Sequence, residues 1–437
     1  MSRSEITGLA LSMKKIHPSG QKNFSAWHLF FALSLTMCGV GLPAHAADLT
    51  LKELLEISVQ KHPSVLQARS QAQAAGFDLD AAQWGRFPTG SFEVRTKTYL
   101  SQNLAKIEQP VWTGGKISSR IGLSESNLRV AEAAIREAQI TALTQASTAF
   151  YEALRLDQRL VHAALNVQEH ERLVAMIERR TLAEVSPPAD TTLAKARLQQ
   201  AVSERIQIKK QRDAALATLA QWTQPLTGGL KAPAGISFIR PASEADMTER
   251  ALAYSGQRQR LLSQIDSAEA QIESSQAQIY PTLVAGVQHT WAGDVPITVD
   301  RNQSYLSLQY QTGAGLSTRS GIQAAVSRKA AAQQELEALQ LNLTTQVSAA
   351  MAELDALQAQ LEPAKELLLG TTEVVESYLR QYQLGRKNWL DVLNAQREKT
   401  QALYNQADIQ YGYQLAQIRL MILSGDLSAQ QLIALHD

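Results

Sequence analysis

Between Ile117 and Val185 the chain has one glycine and no proline. Within that stretch Ala146, Ala149, Ala153, Leu156, Leu160, Ala163, Val167, His170, Val174 and Ile177 recur in alternating steps of three and four. A 3.5-residue period held this long predicts one very long helix whose apolar stripe coils against neighbouring helices. At about 1.5 Å per residue such a helix reaches on the order of 100 Å, far beyond the usual globular length. The same ten positions return 201 residues later as Val347, Ala350, Leu354, Leu357, Leu361, Ala364, Leu368, Thr371, Val375 and Tyr378. Many of these seam positions are alanine, so the helices they face must approach closely.

The second stripe belongs to an internal duplication. Phe150-Tyr151-Glu152-Ala153 aligns with Met351-Ala352-Glu353-Leu354, and DTTLAKARLQQ from Asp190 with DVLNAQREKTQ from Asp391, at the same offset of 201. Upstream, RFPTGSFEV from Arg86 aligns with IYPTLVAGV from Ile279 at an offset of 193. The eight extra residues of the second copy are expected in a longer loop around Gly293 to Asn302. The predicted organisation is a leader at 1–46, a first repeat at 47–224, a Gly- and Pro-rich linker at 225–243, a second repeat at 244–427 and a tail at 428–437.

Each repeat reads as helix, two strands and a long helical hairpin. Leu51 to Trp84 is helical with a break at His62-Pro63. Next, Phe92, Val94, Thr96 and Thr98 alternate with Glu93, Arg95, Lys97 and Tyr99, and Ile107 and Val111 alternate with Lys106 and Glu108. In the second copy Leu306, Leu308 and Tyr310 alternate with Ser307, Gln309 and Gln311. This two-faced pattern suits a barrel wall between lipid and water, and suits equally the half-buried strands of a soluble domain. The hairpins bend at LAEVSPPAD and LGRKNWLD, where Pro187-Pro188 is expected to stop one helix and Gly385 the other. Asp190 and Asp391 then open the returning helices, where a carboxylate can act simply as a cap.

Composition narrows the class. Lys14, Lys15 and Lys22 precede the apolar run LFFALSLTMCGVGL, and Ala44-His45-Ala46 has the small-x-small form of a leader-peptidase site. Cleavage there removes Cys38, the single cysteine, and with it any disulfide or thiolate metal site. A lipoprotein reading of Cys38 is disfavoured by Met37 before it. The leader carries four of the 42 Lys/Arg and one of the 41 Asp/Glu, so 38 cations face 40 anions afterwards, and no basic field points to nucleic acid. No later apolar run approaches the roughly 20 residues of a membrane helix, so a bilayer-spanning form must be a closed β-barrel.

Enzyme motifs are missing. TGGKISS at Thr113 lacks the first glycine of a phosphate loop, and its counterpart GAGLSTRS at Gly313 lacks the lysine; both read as strand-to-helix turns. His162 and His170 are eight residues apart, outside any HExxH pattern, and read as a polar layer in the seam. Trp84, Trp112 and Trp291 lie beside strands, in an interfacial belt or where sheet meets helices. No nucleophile constellation, cofactor loop or metal cluster stands out, so no enzyme is expected.

Taken together, the duplication, the strand pairs and above all Tyr382-x-x-Gly385-x-Lys387-x-x-x-Asp391-Val392-Leu393-Asn394-Ala395 resemble the TolC-like family of outer-membrane export channels. The resemblance covers nearly the whole chain after the leader. It implies a mainly α fold with a transmembrane β part: a homotrimer with long antiparallel coiled hairpins forming an α-barrel, and four strands per chain joining one 12-stranded β-barrel in outer-membrane lipid. It also implies a gate at the periplasmic tips. There Tyr382 and Asp391 match family positions, Lys387 stands for an arginine, Asn394 for a second aspartate, and Asp190 for an acceptor in the first copy. Glu184 replaces a glycine, and Ser186-Pro187-Pro188 departs from the usual tip. Tyr382, Lys387 and Asp190 are expected to form a latch, with Asp391 lining the mouth.

The tips Leu182, Ala183, Glu184 and Val185, with Leu384, Gly385, Arg386 and Lys387, are expected to meet a periplasmic adaptor. That adaptor would be driven by an inner-membrane ABC or proton-driven transporter, and no cofactor is implied. Protein secretion, for instance of a surface adhesin, is the favoured cargo reading because of the unusual tip; small-molecule efflux is the alternative. From another class, a soluble periplasmic coiled-coil scaffold or adaptor would keep the seam but need no strands.

Overall fold

The computed structural model describes residues 50–97, 100–223, 229–233, 238–241, 243–292, 301–311 and 317–428. The expected leader, parts of the linker, the longer loop at 293–300, the turn residues Thr98 and Tyr99, residues 313–316 of GAGLSTRS and the tail beyond 428 lie outside the described residues. The described residues belong to one compact unit.

Its element order is helix, helix, strand, strand, helix, helix, twice over. The first round comprises α1 (Leu51–Lys61), α2 (Pro63–Trp84), β1 (Thr89–Lys97), β2 (Leu100–Trp112), α3 (Lys116–Leu182) and α4 (Pro188–Thr223). The second comprises α5 (Glu244–Tyr254), α6 (Gly256–Ala277), β3 (Thr282–Ala292), β4 (Asn302–Gln309), α7 (Ser317–Gln383) and α8 (Trp389–Ser424). α3 and α7 each contain 67 residues, α4 and α8 each 36, and both pairs start 201 positions apart. The first two helices of each round and the first strand after them start 193 positions apart.

Local chemistry explains the starts. Thr50 and Glu53 make a reciprocal capping box at α1. His62 accepts the Ser64 N–H through Nδ1 while Pro63 supplies the first turn of α2, where no N–H is needed. Ser243 and Ser255 cap α5 and α6 in the equivalent places.

The strands form one antiparallel sheet in the order β1-β2-β3-β4, so the two hairpins of the duplication join edge to edge through β2 and β3. Register divides the faces cleanly. Phe92, Ile107, Val287, Trp291, Leu306 and Leu308 share one face, and their side chains are largely exposed. Glu93, Lys106, Glu108, Gln288, Gln303 and Tyr305 share the other. There Tyr305 donates to Glu108 at 2.7 Å, and Lys106 pairs with the same carboxylate. Tyr305 reaches across β3 because its registered neighbour is Gly286; a Cβ at that position would sit 2.4 Å from the ring.

On the helical side the alanine-rich stripe is the core. Of the ten predicted α3 seam residues, only Leu160 is not fully buried. α3 packs against α1, α2, α4, α6 and α8, whereas α7 touches chiefly α5, α6 and α8. Accordingly Val347, Leu354, Ala364 and Val375 are buried in the α7 stripe, and its other six members are only partly so. Well along α3 from the sheet, where α1 and the ends of α4 and α8 pack against it, Leu54, Leu143, Phe150, Tyr151, Leu219 and Ile418 form the largest apolar cluster among the described residues. No described helix is long and apolar enough to cross a membrane.

Candidate functional site

Both hairpins turn with the same backbone device. At the end of α3 the Val185 N–H reaches the Arg180 carbonyl at 2.9 Å and the Glu184 N–H the Thr181 carbonyl at 3.0 Å. At the end of α7, Arg386 reaches Gln381 at 2.9 Å and Gly385 reaches Tyr382 at 3.0 Å. These are paired Schellman closures, which need a left-handed residue at their hinge. Gly385 supplies φ 73° without strain, while Glu184 supplies φ 59° against the Cβ penalty of about 1 kcal/mol.

The expected stop at Pro187-Pro188 is therefore corrected. α3 already ends at Leu182, and Pro188 opens α4, its fixed φ suiting the first helical position. Asp190 and Asp391 both fall in the first turns that follow, where the helix N-terminus favours a carboxylate.

The structure places the candidate residues in two groups. Tyr382, only 6% exposed, closes α7 against the first hairpin: its hydroxyl lies 3.0 Å from the Ser186 hydroxyl, and the Arg180 guanidinium stacks 4.9 Å from its ring centroid. Trp389 packs beside it at a tilt, ring centroids 5.2 Å apart. Lys387, in the turn between α7 and α8, instead stays within its own hairpin, 3.7 Å from the Asp391 carboxylate, with its ammonium 4.2 Å from the Tyr378 ring centroid. Asp190 lies half-buried in the first turn of α4 and Asn394 half-buried in α8. Within one chain, then, the tyrosine clasps Ser186 and Arg180, and the lysine neutralises Asp391.

The tip motif points to none of Ser186, Arg180 and Trp389 as a partner of Tyr382. Ser186 had a signal, since it stands in the tip that departs from the family pattern. Arg180 had none, because only the fold brings it over Tyr382. Around them Leu173, Val174, Ile177, Ala194, Val392 and Leu393 make a small core that binds the two tips together. Outside it the tips are apolar and bare: Leu182 is 85% and Leu384 71% exposed.

Farther up, Asn166 on α3 accepts from Gln396 at 3.2 Å and Thr400 at 2.9 Å on α8, a buried polar step in the seam. His170 is buried one turn away, and desolvation holds its pKa below the usual value. His162 bonds Gln158 at 3.0 Å. Among the described residues no group of three or more His, Cys, Asp and Glu is placed to hold a metal.

A four-stranded sheet with an exposed apolar face, carried on two long coiled hairpins, defines a membrane-channel type of wall. The sequence matches the family described as outer membrane efflux protein over residues 54–223 and 249–426, and the chain belongs to that family. Its place is the outer membrane, with the hairpins extending into the periplasm.

Among relatives, the chain is 25% identical over 307 residues to the nickel-cobalt-cadmium resistance protein NccC of Alcaligenes xylosoxydans xylosoxydans, covering 66% of each chain. It is 22% identical over 312 residues to the cobalt-zinc-cadmium resistance protein CzcC of Cupriavidus metallidurans, covering 70% of this chain and 73% of that one. Its fold is similar to a membrane protein from Pseudomonas aeruginosa, with TM-score 0.73, 18% identity and coverage of 86% and 90%. It is also similar to CusC, whose structures concern folding and transmembrane channel formation, with TM-score 0.73, 16% identity and coverage of 86% and 92%. The resemblance to TolC-like channels and the mainly helical fold with four strands per chain are thereby borne out.

Proposed function

We propose that the chain is the passive exit duct of a tripartite export system, working as a homotrimer with a periplasmic adaptor and an inner-membrane transporter, and that its cargo is small solutes, divalent metal cations foremost. The observation that carries the duct is the sheet. Among the described residues β1 and β4 are open edges, and open edges are not tolerated in lipid. Four strands cannot close on themselves, since outer-membrane barrels begin at about eight. Three copies give the twelve that the family resemblance implies. A soluble scaffold leaves the exposed apolar face without a purpose.

The cargo reading is supported by the metal-resistance names of the two relatives. Secretion rested on Ser186-Pro187-Pro188, and those residues have local work: Ser186 holds Tyr382 and Pro188 begins α4. Nothing in this reading requires catalysis by the chain.

The tips act as the gate. Tyr382 on Ser186, under Arg180, holds the second hairpin to the first, while Asp391 with Lys387 and Asn394 lines the mouth and Asp190 faces the neighbouring copy. Each contact contributes about 0.5–1.5 kcal/mol, and threefold repetition makes a few kcal/mol, within reach of a docking adaptor. The bare tip residues Leu182, Ala183, Glu184, Val185, Leu384, Gly385 and Arg386 offer it a landing.

Two measurements test this. A strain lacking the gene should become sensitive to cobalt, zinc and cadmium salts, and unchanged tolerance would remove the cargo assignment. In planar bilayers Tyr382→Phe combined with Ser186→Ala should raise single-channel conductance several-fold; conductance equal to the parent protein would remove the latch.

A further inference from the structure

The two tips are copies of one another, and one difference between them falls on charge. At the second tip Tyr378, Lys387 and Asp391 come together: the Lys387 ammonium lies 3.7 Å from the Asp391 carboxylate and 4.2 Å from the Tyr378 ring centroid. The same places at the first tip, 201 positions earlier, hold Ile177, Ser186 and Asp190. The aspartate is kept, while the ammonium and the ring that seats it are both replaced. Ile177 is fully buried and Ser186 is engaged with Tyr382, so neither offers Asp190 a charge.

Stability of the turn does not account for the lysine. Lys387 stands one residue ahead of Asn388, which opens α8, and the positive end of a helix favours an anion over a cation. Asp391, in the first turn, already supplies the charge that this end prefers. The pair is also open to water, its side chains keeping 31% and 37% of their surface exposed, and such pairs add little to folding. What the lysine changes is the charge that a passing ion meets.

In the proposed trimer three Asp391 carboxylates ring the mouth. Carboxylate oxygens are ligands for zinc and its neighbours among the divalent metals. A bare ring of them retains such a cation, whereas conduction needs binding weak enough for the ion to leave. One ammonium beside each carboxylate cancels the charge of that ring and repels a second cation. The Tyr378 ring holds the ammonium there, because the face of an aromatic ring attracts a cation.

We infer that Lys387 is a built-in counter-ion, seated by Tyr378, that lets divalent cations pass the Asp391 ring instead of lodging in it. The inference rests on the duct reading with Asp391 at the mouth, and adds how that mouth escapes block by its own cargo.

The test is block of single-channel current in planar bilayers by cadmium chloride added to both sides, with each channel scaled to its own current before addition. Lys387→Met should lower the half-blocking concentration by about tenfold, as loss of a unit charge this close to the carboxylate requires. Lys387→Arg, which keeps the charge, should match the parent, and Tyr378→Leu, which keeps the lysine but not its seat, should fall between parent and Lys387→Met. Adding Asp391→Asn to Lys387→Met should abolish the gain in block. An unchanged half-blocking concentration in Lys387→Met, or a lowered one that persists once Asp391→Asn is added, overturns the inference, and a parent value in Tyr378→Leu removes the seating role of the ring. A parent chain that forms no channel at all overturns the duct reading, and this inference with it.

Discussion

α3 and α7 have the same length, the same position in their repeats and the same stripe, yet the α3 stripe is buried almost throughout and the α7 stripe only in part. α3 runs through the middle of the unit with five helices against it, while α7 lies at its margin with three. Leu341 and Leu369 on α7 consequently stay 68% and 66% exposed. Pro363, where α3 has His162, also removes one hydrogen bond from α7. Duplication therefore copies local structure faithfully, but it cannot copy surroundings, because one repeat must be inner and the other outer within a single chain. In the proposed trimer the open side of α7 is a surface available to the next copy.

The largest effect expected from this difference is at matched leucines. Leu156→Ala in the α3 stripe removes a fully buried side chain and should cost about 2–5 kcal/mol. Leu357→Ala, 201 positions later and half-buried in the single chain, should cost less than half as much if α7 stays uncovered, and a similar amount if a neighbouring copy covers it. Denaturant unfolding of both variants in detergent decides between these, and equal costs sharpen the trimer reading.

A smaller effect is expected at the turns. Glu184→Gly should raise stability by about 1 kcal/mol by relieving the left-handed backbone, and Gly385→Ala should lower it by a similar amount. Opposite shifts in the thermal midpoint confirm that the tips share one device; a loss at both sites breaks the equivalence.

The smallest effect concerns His170, whose counterpart is Thr371. Burial depresses its pKa from the usual 6.5, with Glu169 opposing and Arg197 adding to the shift. Below about pH 6.5 the unfolded chain takes up a proton that the folded chain refuses, so this contribution is complete above that pH and is lost as the pH falls. His170→Gln should flatten the acid limb of the stability profile, while Thr371→Gln leaves it unchanged.

Much of this architecture could be read in the chain because it is periodic. The 3.5-residue stripe located the inner face of α3 almost residue by residue, since a helix presents every third or fourth side chain to the same neighbour. Strand alternation separated Phe92 and Ile107 from Glu93 and Lys106, and the offset of 201 located both turns. The tip motif led to Tyr382 and to the Lys387–Asp391 turn. It did not lead to Ser186 and Arg180, which are 196 and 202 positions from Tyr382 in sequence and meet it only when two hairpins lie side by side.

Sequence alone thus determined what depends on near neighbours: helix length, strand faces, caps, the repeat and the family. α3 stops before its prolines, at a left-handed glutamate, and that is a backbone state no side-chain pattern announces. Tertiary structure decided which repeat became the inner one, which hydroxyl holds Tyr382, and which side of the sheet is left bare. Those outcomes depend on segments far apart in the chain coming together, and burial, unlike periodicity, is a property of the partner as much as of the residue.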